Sequence, residues 1–179
     1  MWLILARLAG CAALIGVAMR KPFYVSAVAT LLVLLSPSGG AAAPISGTAS
    51  VIDGDTIEIH EERIRLDAID APESRQLCQS ADGTPYLCGK QSAFALADLI
   101  GRSVVRCDPR GHDQYRRTIA VCYWREINLN AWMVSEGWAV AFRKYGKDYV
   151  SHEDDARLNR RGIWSGTFEM PWDWRARQR

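Results

Sequence analysis

The sequence predicts an α+β domain, a small barrel of five short strands with about three helices placed late in the chain. Short runs at residues 56–59, 63–68, 103–107 and 117–124 alternate apolar and polar side chains with the period of two that a half-buried strand requires. Turn signals punctuate them, including Asp53-Gly54-Asp55 and Asp70-Ala71-Pro72. Helical spacing enters only from Gln91 onward, and about 135 residues suffice for one core without a metal or partner.

Residues 1–43 stand apart from that domain. They hold no acidic residue and three basic ones, Arg7, Arg20 and Lys21. From Met19, a basic start, an apolar run between Phe23 and Leu35 and a small-residue stretch at 36–43 follow in the order of a secretory signal peptide. The apolar run is short of the roughly 20 residues that a membrane span needs. We expect a leader over 1–43, with the signal peptide at 19–43 and 1–18 an upstream extension. A lipoprotein box at Leu8-Ala9-Gly10-Cys11 and a pair of short membrane segments are the alternatives. The domain is then expected at 44–166, with a Trp- and Arg-rich tail at 167–179. An exported monomer is expected, periplasmic or secreted, touching a membrane only through an uncleaved leader.

Without the leader, 19 basic residues face 20 acidic ones, because three of the 22 lysines and arginines lie before residue 44. A net charge of about −1 excludes a generally basic nucleic-acid coat. Any polyanion must be gripped by local clusters, with an affinity that falls steeply in salt.

Four cysteines remain, Cys78, Cys88, Cys107 and Cys122. An even number in an exported chain favours disulfides. Cys78 and Cys88 flank a short polar loop, while Cys107 and Cys122 sit in two apolar strands expected to be neighbours, so the expected pairs are 78–88 and 107–122. The spacing has no CxxC and no histidine close by, which excludes zinc.

The densest chemistry lies between Val51 and Glu73. A hairpin there brings Asp55, at the start of one strand, near Asp70, at the end of its partner. With Glu73 they offer oxygen ligands to a hard divalent cation. Arg65 on the same hairpin is a planar fork suited to phosphate. Asp53 reads as a turn residue. A polar hairpin tip with surface ion pairs is the other reading of these residues taken alone.

Further along, residues 91–100 form a helix that stops at Gly101, and residues 128–137 form a second with Asn128 as its cap. A third, charged helix covers 149–161 and ends at Gly162. Residues 108–116 read as a polar loop between two strands. His112 and His152 have no acid or cysteine constellation around them. Trp132, Trp138 and Trp164 read as core, and Trp172 and Trp174 as a tail packed on the barrel. Arg157, Arg160, Arg161, Arg175, Arg177 and Arg179 read as a solvated basic face. The whole pattern matches a barrel of the oligonucleotide-binding (OB) type.

Three motifs in order now stand out: Val51-Ile52-Asp53-Gly54-Asp55-Thr56, then Ile64-Arg65-Leu66-Asp67-Ala68-Ile69-Asp70-Ala71-Pro72-Glu73, then Asp113-Gln114-Tyr115-Arg116-Arg117. Together they resemble the staphylococcal nuclease (thermonuclease) family over residues 45–164. The resemblance implies a calcium-dependent endonuclease that cuts DNA and RNA at the 5′ P–O bond and leaves 3′-phosphates. It implies Asp55, Asp70 and the backbone carbonyl of Ala71 as calcium ligands. Glu73 is then the general base for the attacking water, and Arg65 and Arg117 grip the phosphate. It also makes Tyr115, Phe142 and Tyr145 the candidates for substrate binding.

The sequence departs from the family type in three places. Ala71 stands where the type has threonine, Gln114 replaces a lysine, and Arg116 replaces a glycine beside Arg117. The alternative to a nuclease is a non-catalytic OB-fold module that binds nucleic acid or another polymer, with a link to exopolysaccharide synthesis. The intact set of two acids, Glu73 and two arginines favours the nuclease.

Overall fold

A computed structural model describes residues 42–179; the expected leader, apart from Ala42 and Ala43, lies outside them. The strands are β1 (Ile45–Thr48), β2 (Ser50–Asp53), β3 (Thr56–Ile59), β4 (Glu62–Leu66), β5 (Ile69–Asp70), β6 (Leu77–Gln79), β7 (Pro85–Leu87), β8 (Val104–His112), β9 (Thr118–Trp124), β10 (Ile127–Asn128) and β11 (Val140–Ala141). The helices are α1 (Cys88–Ile100), α2 (Leu129–Ser135), α3 (Val150–Leu158) and α4 (Pro171–Arg177), with a 3-10 turn at Gly162–Ser165.

The main sheet runs β1-β8-β9-β4-β3-β2, with β10 paired to β9. Its two outermost strands, β1 and β2, are one segment bent at the buried Ala49. Counted as one strand, and with the two-residue β10 set aside, they leave the five of an OB-like barrel: the bent strand, β3, β4, β8 and β9. The β4–β9 pair is parallel and the other ladders are antiparallel, so the sheet is mixed and curled. Two small ladders, β5–β11 and β6–β7, lie beside it.

Alternation drives the core. Ile57, Ile59, Ile64 and Leu66 are fully buried and meet Leu96 and Ile100 from α1 and Leu129 and Met133 from α2. Burying such side chains contributes about 1.5–3 kcal/mol each. α2 begins where the Asn128 side chain accepts the Ala131 N–H at 3.0 Å, the expected cap. α1 ends at Gly101, in the left-handed region at φ 53°.

A second, smaller core gathers Cys78, Cys88, Val140 and Ile163, with Tyr86, Trp164, Phe168, Met170 and Trp172 packed around it. Cys78 is bonded to Cys88 at its centre, and Cys107 is bonded to Cys122 across the β8–β9 register. Trp132 and Trp138 pack on the main core, as the sequence suggests.

The expected loop at 108–116 is mostly strand, because β8 continues to His112. Pro109, which has no N–H to give a ladder, sits where the register shifts between Pro109 and Gly111. The true turn is confined to residues 113–117. The tail carries a fourth helix, α4, opened by Pro171 at its first turn.

Candidate active site

The β2–β3 turn places the first acid. Asp53 Oδ1 accepts the Asp55 N–H at 3.0 Å, so Asp53 is the turn residue the sequence suggests. Gly54 has no room for a side chain, since a Cβ there would lie 1.9 Å from Ser92 Oγ on α1. The register Thr56↔Arg65 then brings Arg65 beside Asp55. Arg65 Nη1 donates to Asp55 Oδ1 at 2.5 Å and Nη2 to Asp70 Oδ1 at 2.9 Å, bridging the two acids. Asp55 also accepts from Thr56 Oγ1 at 3.0 Å and from the Ala71 N–H at 2.9 Å.

Both acids are out of water, Asp70 entirely. An ionised carboxylate in that position needs partners, because desolvation costs several kcal/mol. Burial raises the Asp70 pKa despite the opposing arginines. Burial, with the Asp55 charge added, pushes Asp53 up to about 7. At Arg65, burial works against the cation, and the charges of Asp55 and Asp70 more than offset it, raising its pKa.

Glu73 sits on the loop after Pro72, half-buried. Its N–H donates to Oε1 of the buried Gln76 at 3.2 Å, and Gln76 Nε2 donates to the Glu169 carbonyl at 2.6 Å. Gln76 thereby ties the Glu73 loop to the segment that leads into α4. Gly89, in the first turn of α1, backs directly onto the Glu73 carbonyl.

Arg117 is aimed by Asp113, which accepts its Nε at 2.6 Å and its backbone N–H at 2.9 Å. Tyr115 is exposed beneath the guanidinium, 5.7 Å from ring centre to Cζ. Phe142 lies edge-on to the exposed Tyr145, with ring centres 5.0 Å apart. A cavity of about 820 Å³ brings the set together, with Asp55, Arg65, Glu73, Arg117, Phe142 and Tyr145 in its wall. Asp70 lies beneath it, covered by two arginines.

The second of those arginines corrects the sequence reading. Arg175 is not part of a solvated face. From α4 it donates to Asp70 Oδ1 at 2.9 Å, Asp70 Oδ2 at 2.8 Å and Glu73 Oε1 at 2.8 Å. A buried acid 105 residues earlier in the chain offers it far more than water does. Three other arginines of that group are also engaged: Arg161 bonds the Ser135 carbonyl and Asp155, Arg177 bonds Glu169, and Arg157 lies over the Trp164 ring at 4.6 Å. Arg175 and Gln76 are the residues that local pattern does not single out, and Asp113, though it opens the third motif, carries no role there. Pro171 ahead of an apolar–charged alternation is the one local cue to α4.

The donors at this site are hard oxygens, which suit calcium better than a softer metal. Asp55 and Asp70 each accept three hydrogen bonds, out of about four lone-pair sites on a carboxylate. The Ala71 N–H is engaged by Asp55, which holds its peptide beside the acids. Among the described residues no three acids, histidines or cysteines converge as a ready metal cage. The guanidinium of Arg175 stands as a cation against Asp70 and Glu73, so the donor set fits a positive charge.

The fold is thus an OB-like barrel that gathers arginines and buried acids at the mouth of one cavity. The chain belongs to the staphylococcal nuclease homologue family, whose model matches residues 63–166. It is 42% identical over 134 residues to the succinoglycan biosynthesis protein ExoI of Rhizobium meliloti (strain 1021), covering 73% of this chain and 70% of that one. It is 36% identical over 143 residues to a micrococcal nuclease of Shigella flexneri, covering 70% and 76%. Protein ParB of Escherichia coli is 32% identical over 176 residues, covering 87% and 93%.

Proposed function

We propose that this chain is an exported, calcium-dependent nuclease that hydrolyses phosphodiester bonds of DNA and RNA at the 5′ P–O bond and leaves 3′-phosphates. The observation that carries the reading is the convergence of Arg65, Glu73 and Arg117 on one cavity above the buried pair Asp55 and Asp70.

The roles follow from charge. A phosphodiester is anionic, and its oxygens gain charge as water attacks in line. Arg65 and Arg117 bind that group and stabilise the added charge, the largest source of catalysis in such a site. Glu73 takes the proton of the attacking water as the new P–O bond forms and the bond to the 5′ oxygen breaks. Calcium, held by Asp55, Asp70 and the Ala71 carbonyl, supplies further positive charge when bound. The exposed Tyr115 and Tyr145 offer aromatic faces to the bases, and Phe142, stacked on Trp172, is the third aromatic ring of the substrate wall. Export is supported by the two disulfides, which persist in oxidising compartments.

The test is cleavage of single-stranded DNA and RNA by the purified, oxidised protein. Calcium and EDTA arms, a Glu73→Ser variant and identification of the product ends complete it. Calcium-dependent cutting that leaves 3′-phosphates and collapses in the variant is the expected result. A second reading, a polymer-binding module without catalysis, draws on the similarity to a succinoglycan biosynthesis protein and on the pairing of Glu73 with Arg175. Salt-sensitive binding without any cutting selects it.

A further inference from the structure

We propose that Arg175 is a built-in counter-cation, carried by α4, that closes Asp70 and Glu73 in the metal-free protein and must leave them before a divalent cation binds. The inference rests on the calcium reading of the site given above.

Three observations meet on it. The first is occupancy. Arg175 takes two of the three hydrogen bonds that Asp70 accepts and also takes Glu73 Oε1. A calcium ion requires six to eight oxygen ligands, and Asp70 with Arg175 in place has one of its about four lone-pair sites left. Releasing the guanidinium frees two of those sites and the Glu73 oxygen together.

The second is charge. Without Arg175, Arg65 is left to pair with Asp55 and Asp70, and Glu73 loses the guanidinium it is bonded to. Asp70 is wholly buried, so the missing charge must come from a cation in contact with it. Arg175 supplies it when no metal is present. A divalent ion in the same place repels the guanidinium, so the two compete for one position.

The third is how α4 is held. Its lead-in is pinned by backbone bonds, Gln79 N–H to the Thr167 carbonyl at 2.9 Å and the reverse at 3.0 Å. α4 itself reaches the site through side chains, namely the Arg175 contacts and Trp172 stacked on Phe142, with ring centres 5.4 Å apart and planes 9° apart. The same helix therefore covers both the acids and one aromatic ring of the proposed substrate wall. Linkage makes the effect reciprocal: what favours the closed helix weakens metal binding, and metal binding opens the helix.

The test titrates calcium chloride into the full oxidised chain and into Arg175→Gln, reading heat of binding, with amide exchange of residues 171–177 followed with and without calcium. We expect about tenfold tighter calcium binding in the variant and faster exchange of α4 in the unaltered protein when calcium is added. Trp172→Ala, which loosens the helix and leaves Arg175 in place, should also bind calcium more tightly, by a smaller factor. Should Arg175→Gln fail to fold, the exchange arm and Trp172→Ala decide the matter. Equal or weaker affinity in the variants, or α4 exchange that is unchanged or slowed by calcium, overturns the proposal and leaves the nuclease reading standing. Absence of calcium binding in every protein overturns both.

Discussion

Gly89 and Glu73 touch through their backbones: a Cβ on Gly89 would lie 1.9 Å from the Glu73 carbonyl oxygen. The first turn of α1 is thus the floor under the loop that carries the proposed base. Gly89→Ala must push that loop outward, since backbone cannot fold aside as a flexible side chain does. We expect kcat to fall about a hundredfold at a calcium concentration that the titration shows to be saturating. Steady-state kinetics and a calcium titration on the same sample check it; an unchanged kcat refutes the placement of Glu73.

Arg65 joins two buried acids. Arg65→Gln leaves Asp55 and Asp70 with less compensation and should lower the stability of the metal-free protein by about 3 kcal/mol. Calcium should restore part of the loss by binding the folded state. Urea unfolding in EDTA and in calcium reads both effects. Equal stability of variant and parent in EDTA contradicts the bridge.

The Arg117 turn has its own pH signature. Burial alone would raise the Asp113 pKa, but hydrogen bonds from Arg117 and the Tyr115 N–H outweigh it and hold the pKa below the usual carboxylate value. For an acid with a lowered folded pKa, the stabilisation is complete above the unfolded value, near 3.9, and is lost as the pH falls through the folded value. Asp113→Asn should therefore be less stable than the parent at neutral pH, and the gap should close in strong acid. Melting curves in EDTA from neutral pH downward test it. A gap that stays constant with pH counts against the turn being held by the carboxylate charge.

Arg116 lies in the left-handed region, at φ 67°, where its Cβ is crowded. The turn keeps its shape through the Arg116 N–H to the Asp113 carbonyl at 3.0 Å, so the strain is carried by the residue. Arg116→Gly should stabilise the protein by about 1 kcal/mol, without loss of the Arg117–Asp113 pair. A lower melting temperature contradicts this.

The parts of this molecule written in local pattern were legible. Alternation at residues 56–59 and 63–66 gives the hairpin, and the hairpin register gives the Asp55–Arg65 neighbourhood. The end of β8 was hidden because its Pro109, Arg110 and Gly111 look like a loop, while the ladder is made by backbone groups that composition does not report. Arg175 was hidden for a different reason. Its partner Asp70 is 105 residues away, and a contact of that span is set by how the second core packs the tail.

Sheet closure has a further consequence. The two terminal positions of the sheet belong to β1 and β2, four residues each and covalently continuous across Ala49. Such short ends give a foreign strand little to pair with, which guards the fold against edge-to-edge aggregation and domain swapping. The same geometry makes backbone augmentation a poor way for this barrel to hold a partner, and leaves recognition to side chains at the cavity mouth.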